Sequence, residues 1–180
     1  MSRLLAASIL SICCASSPAQ SGVWLDVPFV KQPREGCGAA TVAMVIAYWQ
    51  KQQGRENDRA GDVNYIQQAL YSKQAHGIRA SQLQDYFEQQ GFETHVFSGD
   101  AGLLAHHVAR GRPLIAALQP AARAPLHYVV IAGIESDHHT VLINDPAGRK
   151  LLKVGLSNFE SQWRATGHWT LLAVPRSDRR

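Results

Sequence analysis

The chain has 180 residues, enough for one domain with a proper core and too few for two large ones. Hydrophobic residues make up 46% and charged residues 18%, a balance that excludes a disordered or fibrous protein. The formal charge of +4 is too mild to call for a nucleic-acid partner, and no repeat or low-complexity tract points to a solenoid.

The chain opens with Arg3, an apolar run from Leu4 to Cys14, and then Ala15, Ser16, Ser17, Pro18 and Ala19. A basic start, an apolar stretch of about 7–15 residues and small residues before a cleavage point describe a secretory signal peptide. Ser17 and Ala19 fit that point, so residues 1–19 are expected to leave and residues 20–180 to form one folded domain. The run falls well short of the ~20 residues that span a bilayer, so no stable membrane span is expected. Lipid attachment at Cys13 or Cys14 is a third option, but Ile12 stands where a small residue would be wanted before Cys13. The expectation is an exported protein, periplasmic or extracellular. Loss of Arg3 lowers the formal charge from +4 to +3. Arg176, Arg179 and Arg180 cluster at the terminus, where a solvated tail is the ordinary reading.

After the leader, residues 23–32 read as an extended piece closed by Pro33 and the turn formers Glu35 and Gly36. Residues 39–49 are alanine-rich and free of breakers, which predicts a buried helix ending near Gly54. Residues 55–62 are polar and read as a loop, followed by a helix with Val63, Ile66 and Leu70 on one face. Ser81 and Gln84 match a capping box ahead of Leu83, Tyr86 and Phe87, and Gly91 ends that helix. Residues 92–97 alternate like a strand, and Asp100 can cap a helix running to Arg110. The second half is different: residues 114–118, 127–134, 140–144, 150–154 and 168–174 are short β-rich runs separated by Pro, Gly and Asp. Ser157 and Glu160 match another capping box between the last two. The expected class is α+β, an N-terminal helical layer packed on a C-terminal antiparallel sheet.

Of the three cysteines, Cys13 and Cys14 lie in the leader, which leaves Cys37 alone. Exported proteins usually pair their cysteines, so a single thiol is either a small buried hydrophobe or a reactive group. Cys37 falls at the predicted start of the buried helix, where free N–H groups and partial positive charge favour a thiolate. Gly36 and Gly38 let the backbone turn sharply there and let a substrate carbonyl approach.

A reactive thiol needs a base, and the chain has eight histidines. His106 and His107 are neighbours on a helix and point apart, His138 and His139 fall in a hairpin turn, and His76, His95 and His168 look ordinary. No zinc-type spacing occurs, so neither metal nor cofactor is expected. His127 is distinct because it begins the most apolar strand, as a satisfied core residue or as a site residue at a strand end. Folding residues 127–134 back on 140–145 brings Asp145 opposite that start. Asp145 is then either an orienting carboxylate or, with Pro146 after it, a turn residue.

Taken together, VPFVKQPREGCGAATVAMVIAYW, PLHYVVIAGI and VLINDPAG resemble the cysteine peptidases that process bacteriocin precursors after double-glycine leaders, members of the papain-like superfamily. The likeness runs from about Val27 to Pro175 and includes the closing FESQWRATGHWTLLAVP. It implies a papain-like fold with Cys37 as nucleophile, His127 as general base and acid, and Asp145 as the residue that fixes the ring. It also implies that the Gln32 amide joins the Cys37 N–H in an oxyanion hole. In the best-known members the peptidase is fused to the membrane and ATP-binding parts of an exporter. The 180 residues here contain no such segments, so peptide hydrolysis is implied more directly than leader processing. The expected partner is a peptide or protein substrate. Two other readings share these residues: an amidase or acyltransferase acting on cell-wall or other peptides, and a peptide-binding module without catalysis.

Overall fold

The computed structural model describes residues 22–56, 58–137 and 139–176, so the expected leader, His138, Arg179 and Arg180 lie outside the described residues. The elements in chain order are β1 (Val23–Trp24), α1 (Cys37–Gln52), α2 (Val63–Leu70), α3 (Ala80–Gln89), β2 (Phe92–Ser98), α4 (Ala101–Ala109), β3 (Leu114–Leu118), β4 (His127–Ile134), β5 (Thr140–Asn144), β6 (Leu152–Gly155), α5 (Leu156–Arg164) and β7 (Trp169–Pro175). A single 3-10 turn, Arg59–Gly61, precedes α2. All strand pairs are antiparallel, in the order β2-β7-β3-β4-β5-β6. The two residues of β1 pair with Gly133 and Ile134 of β4, past the point where β3 begins.

The α+β expectation holds, with one extension. Ile115, Ala117, Tyr128, Val130 and Leu171 face a core shared with α1, α2 and α3. Their neighbours Leu114, Leu118, Val129, Ile131 and Leu172 face a second core containing Leu104 and Val108 of α4 and Phe159 and Trp163 of α5. Helices therefore cover both sheet faces, and the first half also donates the edge strand β2. Strands buried on both faces lose the usual alternation, which explains the unbroken apolar runs of β3 and β4.

Helix α1 shows the same logic in a helix. Every residue from Gly38 to Tyr48 is buried, so this segment is apolar on all sides and is wrapped by the sheet, α2 and α3. The extended piece expected at residues 23–32 is a strand only over Val23–Trp24. The rest is a strap pinned by Leu25 N–H to the Ala132 carbonyl (2.7 Å), by fully buried Val27, and by Gln32 N–H to the Pro146 carbonyl (3.0 Å).

Helix starts depart from the expected capping boxes in two places. Helix α3 begins one residue before Ser81, with the Arg79 N–H donating to Gln82 Oε1 (3.2 Å), so Gln82 rather than Gln84 closes the box. Helix α5 begins at Leu156 with no side-chain cap, because Glu160 is taken by His168 instead (2.6 Å). Asp100 caps α4 as expected, accepting from Leu103 N–H (2.8 Å), and Asp62 does the same for α2 from Tyr65 N–H (2.8 Å).

Candidate active site

Cys37 is the first residue of α1, half-buried, after an N-cap glycine that offers no side-chain oxygen. The turn before it closes through the Gly36 N–H and the Pro33 carbonyl (3.0 Å). A Cβ on Gly36 would stand 2.5 Å from Pro33 Cγ, so the tightness of this turn requires glycine. Gly38 has a different reason: its Cβ would lie 3.1 Å from Ile78 Cβ, so it is small because a loop wall packs against the helix start.

Strand β4 delivers His127 from the sheet, and its Nε2 meets Asp145 Oδ1 at 2.7 Å. Both side chains are 22% exposed, which leaves the contact partly shielded from water. The pairing does not arise from direct opposition. Between Ile131 and Gly133 the β4–β5 register shifts by one residue, so that Asn144 faces Val130 and not Ile131. Continued by one step, that register sets Asp145 across from Val129, diagonal to His127 and on its side of the sheet. An unshifted ladder would set Asp145 across from Val130, on the other side.

Asp145 is held by more than the ring. Its Oδ1 also accepts from Ala147 N–H (3.0 Å), its own N–H donates to the Arg149 carbonyl (3.1 Å), and its carbonyl accepts from Gly148 N–H (2.9 Å). The turn-residue and orienting-carboxylate readings of Asp145 therefore both describe its contacts. Just before it, fully buried Asn144 donates to the Val27 carbonyl (3.1 Å) and accepts from Leu151 N–H (2.9 Å). This side chain clamps the strap and the next loop around Asp145. Sequence reading missed Asn144; a polar residue ending an apolar strand was the available signal.

The electrostatics favour charge separation between sulfur and ring. Burial pushes the Cys37 thiol up, but the His127 imidazole and the Tyr128 and Gly38 N–H groups outweigh it and bring it below its ordinary value. Burial disfavours a charged His127, yet Asp145 and Cys37 overcome this and raise the ring to about 9. The His127 hydrogen bond holds the Asp145 carboxyl below its usual range. With Nε2 committed to Asp145, Nδ1 is the ring nitrogen left for the thiol.

Gln32 reaches the same region through its backbone bond to Pro146, next to Asp145. Its Oε1 is buried with no partner among the described residues. Of the other described histidines, His76 lies in the loop beside Cys37, while His95 lies 3.3 Å from Glu93, His106 beside Arg110, His107 against Phe97, and His139 just before β5. His168 and Glu160 form a second imidazole–carboxylate pair beside Trp163. Among the described residues no group of three or more His, Cys, Asp or Glu is arranged to hold a metal ion. No helix among them is long and apolar enough to cross a membrane.

A helix that opens on a cysteine, docked on an antiparallel sheet that supplies a histidine and a carboxylate, is the papain-like cysteine peptidase architecture. The Peptidase_C39 like family model matches residues 24–171, and the chain belongs to that family. Among solved structures it is similar to the peptidase domain of Streptococcus ComA, a bi-functional ABC transporter involved in a quorum sensing pathway (21% identity, 83% of this chain and 99% of that one, TM-score 0.64). It is similar to a C39-like peptidase from Bacillus anthracis (19% identity, 88% and 100%, TM-score 0.67). It also resembles a double glycine motif protease from an AMS/PCAT transporter, solved in complex with the leader peptide (21% identity, 87% and 99%, TM-score 0.63). No curated protein matches the chain. At these identities the solved structures speak for the fold.

The carboxylate contact carries a prediction. Asp145→Asn removes the anion that favours a protonated His127, so the ring's apparent pKa falls from about 9 toward the ordinary ~6.5. Histidine NMR titration of both proteins reads this, and an unchanged ring titration would show that Asp145 does not hold the proton.

Proposed function

We propose that the protein is an exported cysteine peptidase that cleaves peptide bonds through an acyl-enzyme. The observation that carries this reading is Cys37 at the start of α1 in one site with His127, whose ring meets Asp145 at 2.7 Å, and the downward shift of the thiol supports it. Family membership supports it.

The Cys37 thiolate attacks the scissile carbonyl carbon, forming an S–C bond and a tetrahedral oxyanion. The Cys37 N–H and the Gln32 side-chain amide donate to that oxygen, and such a donor is typically worth ~3 kcal/mol. The oxyanion collapses, the C–N bond breaks, and His127 gives its proton to the leaving amine. Neutral His127 then takes a proton from water, the hydroxide attacks the thioester carbonyl, and collapse releases the acid and regenerates the thiolate and imidazolium. Asp145 stays ionised throughout, fixing the ring and balancing its charge. The Gln32 backbone, held by its N–H bond to the Pro146 carbonyl beside Asp145, supports this placement of the amide.

The pH dependence follows from the two directions. The thiolate forms as pH rises through the lowered Cys37 value, and the imidazolium is lost as pH rises through about 9. Activity is therefore bell-shaped, with its basic limb at about 9.

Against a casein-type unfolded substrate or a peptide pool, Cys37→Ala abolishes turnover while the circular dichroism stays native. In the same assay Gln32→Ala lowers kcat about 10²–10³-fold. Full turnover in Cys37→Ala would end the peptidase reading. Export has its own test, since the basic and apolar start of the chain supports it. N-terminal sequencing of protein recovered outside the cytoplasm is expected to begin at Gln20; an intact Met1 in the cytoplasmic fraction would contradict export.

A further inference from the structure

Cys37 opens on a groove of about 290 Å³, walled by residues 75–80 on one side and by Pro125, Leu126 and Tyr128 on the other. Besides Cys37 and Tyr128 the lining is apolar apart from His76 and Arg79, and it includes no carboxylate. The carboxylates nearest to Cys37 along the chain and in the site are both engaged. Glu35 accepts from the Tyr71 hydroxyl and lies 3.8 Å from His76, and Asp145 is taken by His127.

Arg79 is different. It is exposed, and its guanidinium donates only to the neutral Gln74 Oε1 at 3.4 Å. Among the described residues no carboxylate oxygen comes within 4.0 Å of it. Its backbone is fixed as the start of α3 by the N–H bond to Gln82 Oε1 (3.2 Å), so the side chain springs from a defined point on the groove wall. An uncompensated cation over an apolar slot attracts anions and repels cations, and low-dielectric walls focus its field.

We propose that Arg79 makes the groove selective for peptides carrying an acidic side chain next to the scissile bond, and selective against Lys or Arg there. This rests on the peptidase reading of Cys37. Arg79 does not enter the chemistry; it sets which peptide reaches the sulfur. An exposed charge of this kind is worth roughly two- to fivefold in rate between acidic and neutral ligands, more between acidic and basic ones, and weakens with salt.

Two measurements on the whole protein test it. The first is the ratio of Cys37 alkylation rates with anionic iodoacetate and neutral iodoacetamide, read by mass spectrometry at low salt. Arg79→Gln is expected to lower the ratio roughly two- to fivefold and Arg79→Glu to lower it further, with added salt shrinking both effects. The second is cleavage of matched apolar peptides with Glu, Gln or Lys beside the cleaved bond, where wild type prefers Glu and Arg79→Glu prefers Lys. Both substitutions keep the backbone cap of α3. An alkylation ratio unmoved in Arg79→Glu would overturn the proposal, as would equal cleavage of all three peptides. Cleavage of none of them, with an Arg79-dependent ratio, would overturn the peptidase reading and this selectivity with it.

Discussion

Helix α1 has no hydrophilic face from Gly38 to Tyr48, and a segment of that kind is stable only when covered on every side. The sheet supplies one side of that cover, through Val130, Ala132, Ile115 and Leu171, and α2 and α3 supply others. Burial of large side chains such as Met44 and Ile46 is worth ~1.5–3 kcal/mol each, so the docking of this helix is strongly determined. Its N-terminus is the place where the chain must emerge, and Cys37 is the residue there. The position of the sulfur is thus a consequence of packing, and the hydrogen bonds it accepts from the Gly38 and Tyr128 N–H groups follow from that position.

The partner groups depend on an irregularity. A regular β4–β5 hairpin would aim His127 and Asp145 at opposite sides of the sheet; the one-residue shift at Ile131/Gly133 brings them to the same side. Asn144 then fixes the strand end by satisfying the Val27 carbonyl and the Leu151 N–H, two backbone groups that would each cost about 1–3 kcal/mol if left buried and unpaired. The strap that Asn144 holds continues to Gln32, which binds the Pro146 carbonyl. Thiol, imidazole and carboxylate are consequently linked through their side chains, and Gln32 joins them through its main chain.

Much of this was readable in the residues. Strands β3, β4 and β5 fall where their apolar runs and bounding Pro, Gly and Asp put them, because such runs are long, breaker-free and ended by turn chemistry. The length of the hairpin placed Asp145 near His127 along the sheet without showing which side it faces, and the start of α1 at Cys37 was likewise legible. The α3 and α5 capping boxes were not, since Ser-x-x-Gln and Ser-x-x-Glu patterns are common and tertiary partners decide between them; His168 took Glu160. Residues 72–80 carry no element in the sequence reading, yet the Ser72–Gly77 bridge and the Gly38 contact make them a wall of the groove. A wall built from backbone pairing and one missing Cβ leaves almost no trace in composition. The β4 bulge left none either, because an extra alanine in an apolar strand keeps the pattern apolar.

The site rests on one electrostatic interaction: the His127 ring lowers the Cys37 thiol and favours the thiolate. Thiolate ultraviolet absorbance, titrated with pH in the wild-type protein and in His127→Ala, measures it directly. The wild-type sulfur is expected to ionise below the ~8.5 of a free thiol, and His127→Ala to move the transition upward, because burial is then opposed only by the Tyr128 and Gly38 N–H groups. Superimposable titration curves for the two proteins would contradict it.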